Sequence, residues 1–189
     1  MKNIFISTLF LQFIFPENNY PIFLLHGFLG WGNDELNNYY YWGGDESLEQ
    51  YLKQKGHEVY TLSVGPISPN RDRAIEVFYQ IKGGQVDYGQ NHSLETGMIQ
   101  KPKGKQYPGF YKKWDENNPI HIIAHSQGGQ TATKLELLLK QKILEEEYLI
   151  QVNARGPQLL LAPAFILSTD NIDRLTDVLP EALERANAD

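Results

Sequence analysis

No cysteine occurs in the chain, which excludes disulfides, thiolate catalysis and cysteine-ligated zinc. Positive charge is not in excess either. The formal net charge is −6 over 189 residues, and such a surface offers no electrostatic basis for a nucleic-acid partner. The one basic cluster, Lys101, Lys103, Lys105, Lys112 and Lys113, falls in a segment rich in glycine and proline. It reads as a solvated surface rather than a headgroup site. No apolar run approaches the roughly 20 residues of a transmembrane helix. "IFISTLFLQFIF" behind Lys2 has the length of a signal-peptide core, so residues 1–19 are expected to be the leader of a secreted protein. Histidine is scarce: it occurs at 26, 57, 92, 121 and 125 and nowhere later.

What is present suits a single globular α/β domain. The chain is 41% hydrophobic and 12% aromatic, a composition able to bury a core. Three short apolar runs, "PIFLLHG" (21–27), "HEVYTLSV" (57–64) and "PIHIIAHS" (119–126), are bounded by glycine or proline. Their density in β-branched and aromatic residues predicts strands buried on both faces. Between them, "DESLEQYLKQKG" offers Ser47 and Gln50 at capping-box spacing with Gly56 as a stop. "RDRAIEVFYQIKGG" places Ala74, Val77, Phe78 and Ile81 on one helical stripe, and a long helix is predicted after Ser126. Alternating strands and helices imply a parallel sheet with helices on its faces. From about residue 141 the pattern changes. "RGPQLLLAPAFIL" (155–167) reads as a strand or a packed loop, and the remainder of 141–189 as a divergent, mostly helical tail.

The chemistry centres on "IHIIAHSQGGQT" (120–131). Ala124-His125-Ser126-Gln127-Gly128 is a small-x-Ser-x-Gly turn between a strand and a helix. There the chain needs small residues on both sides because two backbones pass close together. A serine at such a turn is a candidate nucleophile; the bland alternative is a helix cap. About a hundred residues earlier, "LLHGFLG" follows the first predicted strand. Acyl transfer needs two backbone N–H donors for the tetrahedral oxyanion, and the loss of one costs about 3 kcal/mol. Gln127, the residue after the serine, and Phe28, in His26-Gly27-Phe28, stand where those donors belong.

With "PIFLLHGFLGWGNDE", "YYWGG", "VYTLSVGPISPNRDRAIEVFYQIKGGQVDYG", "YPGFY" and "PIHIIAHSQGGQT" on the page, the chain resembles the secreted bacterial lipases of the staphylococcal and thermoalkalophilic bacillus type. The resemblance runs in register over roughly residues 20–140. It implies an α/β-hydrolase fold and hydrolysis of carboxylic esters, triacylglycerols in particular, at a lipid–water interface. Ser126 would be the nucleophile and the N–H groups of Phe28 and Gln127 the oxyanion hole.

The resemblance also exposes what is wanting. A serine needs a base, and the base needs an orienting acid. In this fold the order is serine, acid, histidine, yet no histidine follows Ser126. His121, five residues upstream on the same strand, would lie about 16 Å away. His125 should point away from its neighbour. His57 opens a strand, and His26 alone is expected near the serine. The family's catalytic acid, histidine, lid and calcium site belong to a longer C-terminal half that 141–189 does not match, so the sheet is expected to be incomplete. Of the zinc ligands the resemblance implies, Asp72 and His92 match two, while Met98 occupies a third position with a thioether, a poor zinc ligand. Zinc and calcium sites are therefore expected to be incomplete, with no cofactor required. Otherwise Asp72 caps its helix and His92 is a surface loop residue. The rival reading is a non-catalytic lipid-binding or interaction protein on a truncated hydrolase scaffold.

Overall fold

A computed structural model of the chain describes residues 19–141 and 159–160. Residues 1–18 of the predicted leader and nearly all of the predicted tail lie outside the described residues.

The three apolar runs form the strands β1 (Ile22–Leu25), β2 (Val59–Leu62) and β5 (His121–Ala124). All four residues of β1 are buried, because this strand is central and covered on both faces. It pairs in parallel with β2 on one side and with β5 on the other. A further strand, β6 (Leu159–Leu160), pairs in parallel with β5, giving the order β2-β1-β5-β6. The 155–167 segment thus supplies a strand, and at least one strand does follow the serine-bearing β5. Two short strands, β3 (Gly84–Gln85) and β4 (Gln106–Tyr107), form a separate antiparallel pair.

Helix α1 (Leu48–Gln54) starts as its spacing predicts: Ser47 Oγ accepts from Gln50 N at 3.3 Å. Helix α4 (Gln127–Lys140) begins directly after Ser126. Helix α2 (Asn70–Lys82) departs from the expectation of a single apolar stripe, since every residue from Asp72 to Ile81 is buried. It packs against α4, and its other side is covered by an excursion, residues 83–110, that carries β3, β4 and the helix α3 (Gln90–Thr96). Polar residues on α2 are therefore internal, and each needs a partner. Glu76, 1% exposed, accepts from Tyr88 Oη (2.7 Å), Lys105 Nζ (2.5 Å) and Gly65 N (3.0 Å). Lys101 pairs with Asp87 at 2.9 Å. Two members of the basic cluster thus fasten the excursion rather than simply facing water. No helix among the described residues is long and apolar enough to cross a membrane.

Candidate functional site: a serine turn at the sheet edge

Strand register brings the two sequence motifs together. Leu25 of β1 pairs with Ala124 of β5, so the residues two further on in each strand, Gly27 and Ser126, meet just beyond the C-terminal edge of the sheet. The fit is tight. A Cβ on Gly27 would sit 2.8 Å from Ser126 Cβ and 2.9 Å from the His125 carbonyl oxygen. A Cβ on Gly128 would meet the carbonyl oxygens of Leu25 at 2.5 Å and His26 at 2.9 Å. Ala124, 2% exposed, is the buried small residue on the other side of the turn.

Ser126 itself has φ 55° and ψ −123°, a conformation that costs a side-chain-bearing residue of order 1–3 kcal/mol and persists only where its surroundings impose it. Its side chain makes no capping hydrogen bond to α4, and the residue is exposed. The helix-cap alternative therefore fails on geometry. Beside it, the backbone N–H groups of Phe28 and Gln127 have no acceptor among the described residues. The side chain of Phe28 is 57% exposed. Leu29 and Ile67, also exposed, flank the same loop, which is tied by Leu29 N donating to the Pro66 oxygen at 2.9 Å.

His26 is fully buried. Its Nε2 accepts from Val64 N at 3.2 Å, so the ring proton resides on Nδ1, which donates to the Gly27 carbonyl at 2.9 Å. Burial holds its pKa below the ordinary value. Both ring nitrogens are thus committed to loop backbone, and His26 is no base for Ser126. His125 bonds through Nδ1 to Tyr41 Oη at 2.5 Å, and that hydroxyl accepts from Gly27 N at 3.1 Å. His121 lies opposite Ile22 at the far end of β5. His57 leaves α1 with its N–H on the Leu52 oxygen.

Asp72 and His92 do come together, Asp72 Oδ1 lying 2.7 Å from His92 Nε2. Asp72 is not a helix cap, because Pro69 occupies that position and no side-chain cap bond forms. His92 is not a loop residue, because it sits on α3 with 17% of its side chain exposed. Bound zinc needs three or four protein ligands. Met98 packs against the apolar core, and among the described residues no group of three or more His, Cys, Asp or Glu could hold a metal. The described residues do not fit zinc. Asp72 Oδ2, buried and without a hydrogen-bond partner among them, marks where the pair is least satisfied.

Two residues of the site escaped sequence reasoning. Arg73 is fully buried and donates three ways: Nε to Thr131 Oγ1 (3.0 Å), Nη1 to the Gly65 oxygen (2.7 Å) and Nη2 to the His26 oxygen (2.5 Å). An arginine immediately before an apolar helical stripe was the available signal. Tyr41 lay inside "YYWGG", and nothing in its spacing linked it to His125.

Fold and turn together define a class: α/β proteins that carry a glycine-flanked serine on a strand-to-helix turn at the edge of a parallel sheet. Within that class the chain belongs to the family described as "Lipase-like, C-terminal domain", whose family model matches residues 18–172. A lipase of Staphylococcus epidermidis is 44% identical over 134 residues, covering 69% of this chain and 19% of the relative. The solved structure of EstA from Clostridium botulinum shares 50% identity with a TM-score of 0.62, covering 65% of this chain and 28% of that one. Staphylococcus hyicus lipase shares 36% at the same TM-score, covering 70% and 36%. The chain spans about a fifth of the length of the curated relatives it matches. The family match also runs past residue 140 into the segment that carries β6.

Proposed function

We propose that residues 20–140 form the nucleophile-bearing part of an α/β-hydrolase acting on carboxylic esters of lipid type. The carrying observation is the exposed, positive-φ Ser126 packed against Gly27, next to two unengaged peptide N–H groups. In this reading Ser126 Oγ attacks the ester carbonyl. The oxyanion is held by Phe28 N–H and Gln127 N–H; its collapse breaks the ester C–O bond and releases the alcohol, the serine proton passing to it through solvent, and water then hydrolyses the acyl-enzyme to the carboxylic acid and free Ser126. Exposed Phe28, Leu29 and Ile67 give the mouth an apolar rim suited to an acyl chain at a lipid–water interface. The weak point is the base. His26 and His125 are engaged elsewhere, and no later histidine exists in the sequence. Turnover by residues 20–140 alone is therefore limited to the residual rate that binding and an oxyanion hole supply. Secretion, from the apolar stretch after Lys2, completes the proposal.

A chromogenic short-chain ester assay on the chain and on Ser126→Ala tests the reading. Slow hydrolysis that disappears in the variant is expected. Rapid Ser126-dependent turnover would show that a base is present after all, and equal rates in the two proteins would remove Ser126 as nucleophile. The engagement of His26 and His125 with other partners favours one second reading, a lipid-binding protein on the same scaffold. It predicts fatty-acid binding that Ser126→Ala leaves intact, with no labelling of Ser126 by a phosphonate.

A further inference from the structure

We infer that Arg73 is the positioning residue of the oxyanion loop, an inference that rests on the proposed role of Phe28. The peptide that must be aimed is Gly27–Phe28. In a trans peptide the carbonyl and the N–H point in opposite directions, and no cis bond occurs among the described residues. The Gly27 oxygen is tied inward by His26 Nδ1 (2.9 Å) and by Gly30 N (3.2 Å). Phe28 N–H is consequently turned the other way. The preceding peptide, His26–Gly27, is clamped at both ends: its N–H donates to Tyr41 Oη and its oxygen accepts from Arg73 Nη2.

Arg73 does more than close one bond. Its Nη1 holds the Gly65 oxygen, next to the Val64 N–H on which the His26 ring rests. Its Nε holds Thr131 in the second turn of α4, the helix that opens with Gln127. One planar cation thus locks together the loop after β1, the loop after β2 and the helix behind the serine, the segments that must stay in register for two N–H groups to converge. Lysine could satisfy only part of this geometry, because it lacks the fixed fork of donors. Burial is costly to the guanidinium, and Glu76 one turn along α2 is the charged group that offsets it.

Native-state amide hydrogen exchange on the full chain tests this, comparing it with Arg73→Lys and Thr131→Val. Arg73→Lys is expected to raise exchange about tenfold at Phe28, Leu29 and Gly65, while amides in β1 and the middle of α2 change less than twofold. Thr131→Val, which removes one acceptor at nearly constant volume, should give a smaller rise at the same residues. If Arg73→Lys fails to fold, Thr131→Val decides alone. In Ser126-dependent ester hydrolysis, both variants should lower kcat with KM little changed. A uniform rise in exchange, or none at the loop, would overturn the positioning role. A localised rise without any Ser126-dependent hydrolysis in the unsubstituted chain would sink the proposed function and leave the loop anchor standing.

Discussion

At the scale of single residues, the site is made by what Gly27, Ser126 and Gly128 permit. Gly27→Ala would drive a methyl into Ser126 Cβ and the His125 carbonyl, neither of which can swing away as a flexible side chain would. We expect a loss of about 1–3 kcal/mol in urea melts, the range for overpacking, and no remaining Ser126-dependent hydrolysis. A variant as stable and reactive as the parent would mean that the two loops are further apart than described. His26 supplies a pH prediction. Desolvation lowers its pKa, the bond to the Gly27 carbonyl opposes this, Arg73 lowers it further and Glu35 raises it. The unfolded chain therefore takes up a proton at higher pH than the folded one. The contribution is fully present above the ordinary value of 6.5 and declines as pH falls through it toward the folded value. His121, also lowered by burial, acts in the same direction. Stability measured between pH 7.5 and 5 should fall on the acid side, and His26→Gln should flatten part of that slope, whereas a slope unchanged by the substitution would assign the titration elsewhere.

At the scale of elements, α2 is the strut against which the site is built, and the excursion 83–110 is held to it by polar contacts. Glu76→Gln weakens the bonds from Tyr88 and Lys105 and removes the carboxylate that offsets Arg73. A cost of about 1–3 kcal/mol follows from impairing a buried charged acceptor. Trypsin should then cut earlier within 84–107, with exposed Lys103→Gln as a control that shifts stability little. Equal protection of that segment in Glu76→Gln would show that its apolar contacts suffice. The same element marks the limit of sequence reading. The ends of α1 and the runs of β1, β2 and β5 were legible because caps and apolar runs are local signals. That α2 is buried all round was not, because what covers it comes from residues 83–110 folding back. Ser126, Phe28 and Gln127 were singled out through motif and resemblance. Arg73 and Tyr41 were not, since their partners lie 47 and 84 residues away.

At the scale of the molecule, parallel register between β1 and β5 places residues a hundred apart in one turn, and α2 and α4 lock that turn from behind. In the proposed reading this framework orients a hydroxyl and two amides, and among the described residues both ring nitrogens of His26 and Nδ1 of His125 are already bonded to other groups. A small base from solution should therefore raise the reactivity of Ser126. Free imidazole at a concentration on the order of 50 mM should accelerate ester cleavage by this chain in proportion to its neutral fraction. Ser126→Ala should show only the slope of imidazole acting on the ester in buffer. The difference between the two slopes measures how well the elbow presents its hydroxyl. Adding Arg73→Lys should shrink that difference if the loop loses its aim. Coincident slopes for the chain and for Ser126→Ala would mean that the turn, however well built, does not present a nucleophile.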